Sequence, residues 1–248
     1  MQWQKIISCK RFFIWSEQQH TYFIISGLII LLTGWFAGLF LAPTDSQQQD
    51  AYRIIFIHVP AASGGMMIYF GISICAILSW VWRIKLADVM LTSFAPLGAT
   101  LTFIALLTGS IWGKPMWGTW WVWDARLTSC LILFLFYLAI IILRYVMHDN
   151  EAAARGCALL TVIGAIDLPI VHYSVNWWNT LHQPASILAI KQPSIAFSML
   201  WPLLLSMLGL ALFIIGVAII KMRTIILQRF SQQAYVQTWL RRVHASYH

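Results

Sequence analysis

The chain has 248 residues, 60% of them hydrophobic and only 10% charged, with a formal net charge of +8. A soluble domain is about one quarter charged, so this composition excludes an ordinary soluble enzyme of that length. The basic excess is scattered between long apolar runs instead of forming one patch, which argues against a nucleic-acid partner.

A helix crosses a bilayer with about 20 mostly apolar residues. Six runs meet that length: approximately 22–41, 54–82, 91–112, 127–147, 157–174 and 197–221. Lipid offers backbone N–H and C=O groups no partners, so each run is expected to be helical. The reading is an all-α integral membrane protein, one six-span domain over 1–248 without a separate soluble part or internal repeat. The first run is long for a signal core and no small-residue cleavage pattern follows it, so it is read as a retained helix.

The second run opens with Arg53 and carries His58 in Y-R-I-I-F-I-H-V-P. Five residues of helix separate the two by about 7 Å. Pro60 frees a backbone carbonyl within the run and permits a kink. An ionisable residue inside a span is a functional candidate by default, the alternative being a histidine bonded to a neighbouring helix.

Between the third and fourth runs lies W-G-K-P-M-W-G-T-W-W-V-W-D-A-R-L, five tryptophans in sixteen residues. An aromatic belt spreads one or two such residues over each helix end on both faces. Here Trp112, Trp117, Trp120, Trp121, Trp123, Trp177 and Trp178, half of the fourteen, fall in or beside two connections on one face. Interleaved with Gly113, Gly118 and Thr119, they form a set of indole faces suited to a flat aromatic ligand. Lys114 and Arg126 add cations for a carboxylate, and Asp124 is read first as fixing the loop. The run G-S-I-W-G-K at 109–114 imitates a phosphate loop. Its glycine spacing is one short and Pro115 replaces the hydroxyl residue that would meet magnesium.

The fifth run contains Asp167, Pro169 and, near its outer end, His172; the connection after it reads N-W-W-N-T-L-H-Q-P and holds His182. Asp167 and His172 are expected to form a bonded pair or a polar relay. Trp178 precedes His182 by four, one helical turn. Physical reasoning does not choose between His172 and His182. After residue 221 one short amphipathic or disordered segment is expected.

With six crossings both termini share a side. That side takes Lys5, Lys10, Arg11, Arg83, Lys85, Arg144, Arg155, Lys221, Arg223, Arg229, Arg241 and Arg242, and the other only Arg53, Lys114, Arg126 and Lys191. The positive-inside bias predicts cytoplasmic termini and an aromatic face outside, with the basic residues near anionic lipid. The four cysteines are dispersed, without C-x-x-C or C-x-x-C-H, so neither thiol exchange nor covalent haem anchoring is expected.

Two imidazoles, two basic residues and an indole platform on one face match, feature by feature, an axial metal, two carboxylates and a flat apolar ring. Imidazole ligates haem iron well. From chemistry alone, haem is the ligand these residues fit best.

The stretch W-G-K-P-M-W-G-T-W-W-V-W-D-A-R-L-T-S resembles the "WWD" signature of the haem-handling protein family, most closely its cytochrome c maturation protein C branch in Gram-negative bacteria. Y-R-I-I-F-I-H-V-P-A-A, L-P-I-V-H-Y-S-V-N-W-W-N-T-L-H-Q and the six-span layout extend the resemblance over most of the chain. It implies haem b (iron protoporphyrin IX) bound at the periplasmic face of the bacterial inner membrane and presented to a membrane-anchored haem chaperone, the E component. It also implies a complex with the A and B transporter components and the small D component. The axial ligands it implies are His58 and His182, which settles the choice against His172. The loop, about 112–128, contributes Trp117, Gly118, Trp120, Trp121, Trp123 and Asp124. Trp178 joins them, and Arg53 and Arg126 are candidate propionate partners. A haem-presenting protein is expected more than a classical enzyme. The rivals are a b-type electron-transfer subunit, a haem permease, and a structural subunit whose tryptophans grip a protein.

Overall fold

The computed structural model describes residues 8–147, 149–178 and 195–246. Among these residues the chain is almost wholly helical, and six segments are long and apolar enough to cross a membrane. A short helix α1 (Cys9–Trp15) precedes α2 (Gln19–Phe36), which ends in a π turn, Ala37–Leu41. A 3-10 turn, Asp50–Ile54, leads into α3 (Ile55–Trp82), followed by α4 (Lys85–Trp117) and α5 (Ala125–Val146). The fifth crossing is two helices, α6 (Asn150–Gly164) and α7 (Asp167–Trp177). The sixth is α8 (Phe197–Arg229), and α9 (Ala234–Ser246) closes the chain.

The third, fifth and sixth crossings are longer than the apolar runs, starting at Lys85 and Asn150 and ending at Arg229, and two differences from the sequence reading bear on the site. The third crossing does not stop near 112 but continues to Trp117, so only 118–124 is true loop. Its end is set by Gly118, whose φ of 76° is left-handed and whose N–H bonds Lys114 O at 3.0 Å. The fifth crossing is interrupted at Ala165 and Ile166. Pro169 has no N–H to give Ala165 O, and Leu168 N takes that carbonyl instead at 3.2 Å.

Without a hydrophobic drive between helices in lipid, close backbone approach and hydrogen bonds must hold the bundle. Helices α2 and α8 meet along Gly27 and Gly34 on one side and Gly209 and Gly216 on the other; a Cβ on Gly27 would strike the backbone of Phe213, and one on Gly209 that of Leu31. Between α3, α4 and α5 the contacts are aromatic and polar. Tyr137 Oη donates to Gly65 O at 2.7 Å, and its ring meets Tyr69 edge-on at 4.9 Å. The carbonyl that Pro60 frees is Phe56 O, and Trp35 Nε1 of α2 donates to it at 3.1 Å.

The end of the bundle that carries both termini is closed by ionic bonds. Asp88 Oδ2 accepts from Arg229 at 2.7 Å and from Arg144 at 3.4 Å. Arg223, buried on α8, bonds Phe13 O and Ser16 Oγ and stacks on the Phe13 ring at 4.3 Å. Helix α9 is the expected amphipathic tail. It docks on α1 through Phe13, Trp239 and Glu17, which accepts from Trp239 Nε1 at 3.0 Å and Arg242 at 2.6 Å. Partial burial pushes the Glu17 carboxyl up, but the bonds from Arg242 and Trp239 outweigh it and hold it below its ordinary value.

Candidate functional site

His58 lies in the first turn of α3 and is half-buried against α4. Its Nδ1 is 3.0 Å from Thr108 Oγ1. That hydroxyl is also 2.7 Å from Ile104 O, one turn back in its own helix, and it has a single proton to give. With that proton on Ile104 O, Thr108 accepts from the imidazole. Nδ1 then carries the ring hydrogen and Nε2 the lone pair, the arrangement found in metal-ligating histidines. Gly109 makes room for the ring: a Cβ there would sit 3.2 Å from His58 Cε1. Trp112 meets the ring edge-on at 5.7 Å, and its Nε1 bonds Gln48 Oε1 at 3.0 Å, so residues before α3 brace the same corner.

The phosphate-loop look of 109–114 thus has a different physical origin. Both glycines lie on a helix, not after a strand, and both leave space for a ring. A Cβ on Gly113 would come within 3.0 Å of Trp117 Cε3, so Trp117 lies against the last turns of α4. Beyond Gly118, Lys114 Nζ bonds Gly118 O at 3.0 Å and Thr119 Oγ1 bonds Trp121 O at 3.1 Å, shaping the seven-residue loop 118–124. Trp121 and Trp123 meet edge to face at 5.5 Å. Trp121 Nε1 is buried without a hydrogen-bond partner among the described residues. Trp123 is 75% and Trp120 57% exposed, so two large indole faces point away from the protein. Asp124 caps α5, its carboxylate accepting from Leu127 N at 2.8 Å.

Arg126, in the first turn of α5, ties the loop to α7. Its Nε bonds Ser174 Oγ at 3.3 Å and Nη2 bonds His172 O at 3.2 Å, both neutral acceptors. Along α7 a second aromatic row continues from the loop: Tyr173 stacks on Trp177 at 5.5 Å, and Trp177 meets Trp178 at 5.8 Å. His172 is exposed and packs on Tyr173 at 4.6 Å, while Asp167 Oδ2 is buried and without a hydrogen-bond partner among the described residues. The expected Asp167–His172 bond does not form. Arg53 bonds Gly38 O, Leu39 O and Asp50 Oδ1 at 3.0 to 3.2 Å, closing the π turn of α2. His182 lies outside the described residues.

The described part of the site is therefore one end of the bundle. It holds a half-buried imidazole hydrogen-bonded to Thr108, exposed indoles on a short loop and on α7, and two guanidinium groups. These are the groups a flat apolar ring with carboxylates and a nitrogen-ligated metal requires. Thr108, Gly109 and Gln48 escaped sequence reasoning; the nearest signal was Thr-Gly one turn before Trp112. Tyr173 escaped it too, although it stands four residues before Trp177 on one face.

Residues 2–237 match the Heme exporter protein C family. The chain is 45% identical over 212 residues to Heme exporter protein C of Escherichia coli strain K12, covering 86% of this chain and 85% of that one. It is 48% identical over 202 residues to Heme exporter protein C of Bradyrhizobium diazoefficiens, covering 82% and 76%. A putative cytochrome c biosynthesis ccmC-like mitochondrial protein of Marchantia polymorpha is 42% identical over 213 residues, covering 85% and 90%. With six crossings, the tryptophan loop and a match over nearly its full length, the chain belongs to the Heme exporter protein C family.

Proposed function

We propose that this protein binds haem b as cargo at the aromatic end of the bundle and presents it for c-type cytochrome biogenesis. The observation that carries the reading is His58, braced by Thr108 at the same end as the exposed Trp120 and Trp123. The names of its relatives point to the same cargo. His58 and His182 are the proposed axial ligands. Trp117, Gly118, Trp120, Trp121 and Trp123 cover one edge of the ring, with Trp178 beside them and Asp124 holding the loop's exit.

Arg126, bonded only to neutral acceptors among the described residues, is the better placed propionate partner. Arg53 serves by exchanging Asp50 for a propionate. Asp50 is 79% exposed, so one solvated carboxylate replaces another at small cost. Haem supplies the vinyl groups and iron on which the later chemistry occurs; the protein fixes the ring's orientation and leaves an edge open. The receiver is the membrane-anchored haem chaperone, the E component, within a complex that includes the A, B and D components. The charge bias supports cytoplasmic termini, and with them a site on the periplasmic face of the inner membrane.

The test is to purify His58→Ala, His182→Ala and His172→Ala proteins from haem-replete cells and record their absorption spectra. Loss of the bis-histidine spectrum in the first two, with His172→Ala unchanged, is the expected result. A normal spectrum in either of the first two would remove that residue from the ligand set.

A permease reading has one observation in its favour, the break between α6 and α7 beside buried Asp167. Haem uptake by proteoliposomes holding this chain alone would favour it.

A further inference from the structure

At the end that carries both termini, a cavity of about 370 Å³ opens between the last turn of α3, the starts of α4 and α6, and the end of α8. Four of its lining residues are cations, Arg83, Lys85, Arg155 and Arg229, against two acids, Asp88 and Glu151. Asp88 is already engaged by Arg229 and by Arg144. Among the described residues, Arg83, Lys85 and Arg155 make no ion pair with a carboxylate; Lys85 lies over the Phe230 ring at 5.7 Å. Among the described residues Arg83 is also one of two non-glycine residues with positive φ, at 53°, where the chain turns from α3 into α4. It ends α3 in a left-handed conformation that a residue with a Cβ seldom adopts.

The surroundings say what kind of anion fits. Trp80, Ile84 and Phe230 line the cavity beside the cations. From Arg155 an exposed apolar stripe runs down α6 through Leu159 and Ile163 at four-residue spacing, and Ile77 and Ile74 continue from Trp80 along α3. A phosphate-sized anion in water needs only the basic mouth. A glycerophospholipid needs the mouth, an interfacial tryptophan, and apolar walls leading into the bilayer, and all three are present.

We propose that this cavity is a binding site for an anionic glycerophospholipid, with the phosphate on Arg83, Lys85 and Arg155 and the acyl chains along α3 and α6. The lipid would lie beside the Asp88 bonds that join α4 to α5 and α8. The site lies at the opposite end from the haem candidate and is independent of it.

The test is native mass spectrometry of the full chain released from nanodiscs of equal phosphatidylglycerol and phosphatidylcholine. The wild type is expected to retain phosphatidylglycerol several-fold over phosphatidylcholine. Arg83→Gln with Arg155→Gln is expected to abolish that preference, and Lys114→Gln at the other end to leave it intact. Millimolar inorganic phosphate should not displace the lipid. Equal retention of the two lipids by the wild type would overturn the proposal without reference to any variant. So would displacement by phosphate, which would make the cavity a soluble-anion site, or an unchanged preference in the double variant.

Discussion

The two ends of the bundle solve opposite problems. At the end with the termini, polar groups that join helices find partners inside the chain, the cations of the lipid-site cavity apart: Asp88 takes two arginines, Arg223 takes a carbonyl and a hydroxyl, and Glu17 takes Trp239 and Arg242. At the other end, polar groups mostly shape backbone, as Lys114, Thr119 and Asp124 do, and the indoles they position stay exposed. Tryptophan is costly to leave in water and useful at an interface. An end that spends its polar bonds on holding indoles outward is organised for something that will cover them.

That contrast can be broken at either end. The largest effect on stability is expected from Arg223→Ala, which strands Phe13 O and Ser16 Oγ in a buried place and removes the stacking on Phe13. A loss of about 3 kcal/mol is expected in chemical denaturation, with haem content per folded molecule unchanged. A fall in haem content without loss of stability would mean that the two ends are not separate in function.

Thr108→Val is expected to do the reverse. It leaves the helix intact but removes the acceptor that holds His58, lowering haem affinity about 10- to 100-fold in spectroscopic titration. Thr108→Ser should restore it. The ring nitrogens of His58 in the haem-free protein, read by nitrogen-15 NMR, should show the hydrogen on Nδ1 in the wild type and a mixture in the valine variant. Smaller again is Asp124→Ala, which should cost about 1 kcal/mol by removing the cap of α5, with Asp124→Asn close to neutral. An asparagine that lost haem while keeping stability would give Asp124 a role in the ligand's charge and not in the loop.

The smallest effect is a pH effect at the terminal end. The Glu17 carboxyl is held below its ordinary value of 4.5, so its bonds to α9 contribute fully above that pH and are lost as the pH falls through the lowered value. Limited proteolysis should find α9 protected near neutrality and increasingly cut as the pH falls well below the ordinary value of 4.5. Glu17→Gln should flatten that profile; a steep profile in this variant would point to another group.

Much of this was legible in the sequence because lipid leaves few options. Six apolar runs became six crossings, and Pro60 did free a carbonyl, though only the structure shows that Trp35 takes it. The misjudged boundaries share a cause. The third apolar run stops near 112, but a proline in the last turn interrupts little, and the helix runs on through Pro115 until Gly118 adopts its left-handed φ. Pro169 was visible, yet within an apolar run it did not reveal the two-residue break before Asp167. The partners of His58 and of Glu17 could not be read at all. Thr108 is 50 residues from one and Trp239 is 222 from the other, and no periodicity in a single chain reports such pairings.

The most direct measurement is a paired one on protein purified from haem-replete cells: the Soret absorbance and the thermal midpoint of the wild type and of Trp120→Ala with Trp123→Ala. Both indoles are exposed, so the account predicts an unchanged midpoint and the loss of most of the haem absorbance. A wild type without a Soret band, or a double variant that keeps it in full, would contradict the claim that this aromatic end is where haem is held.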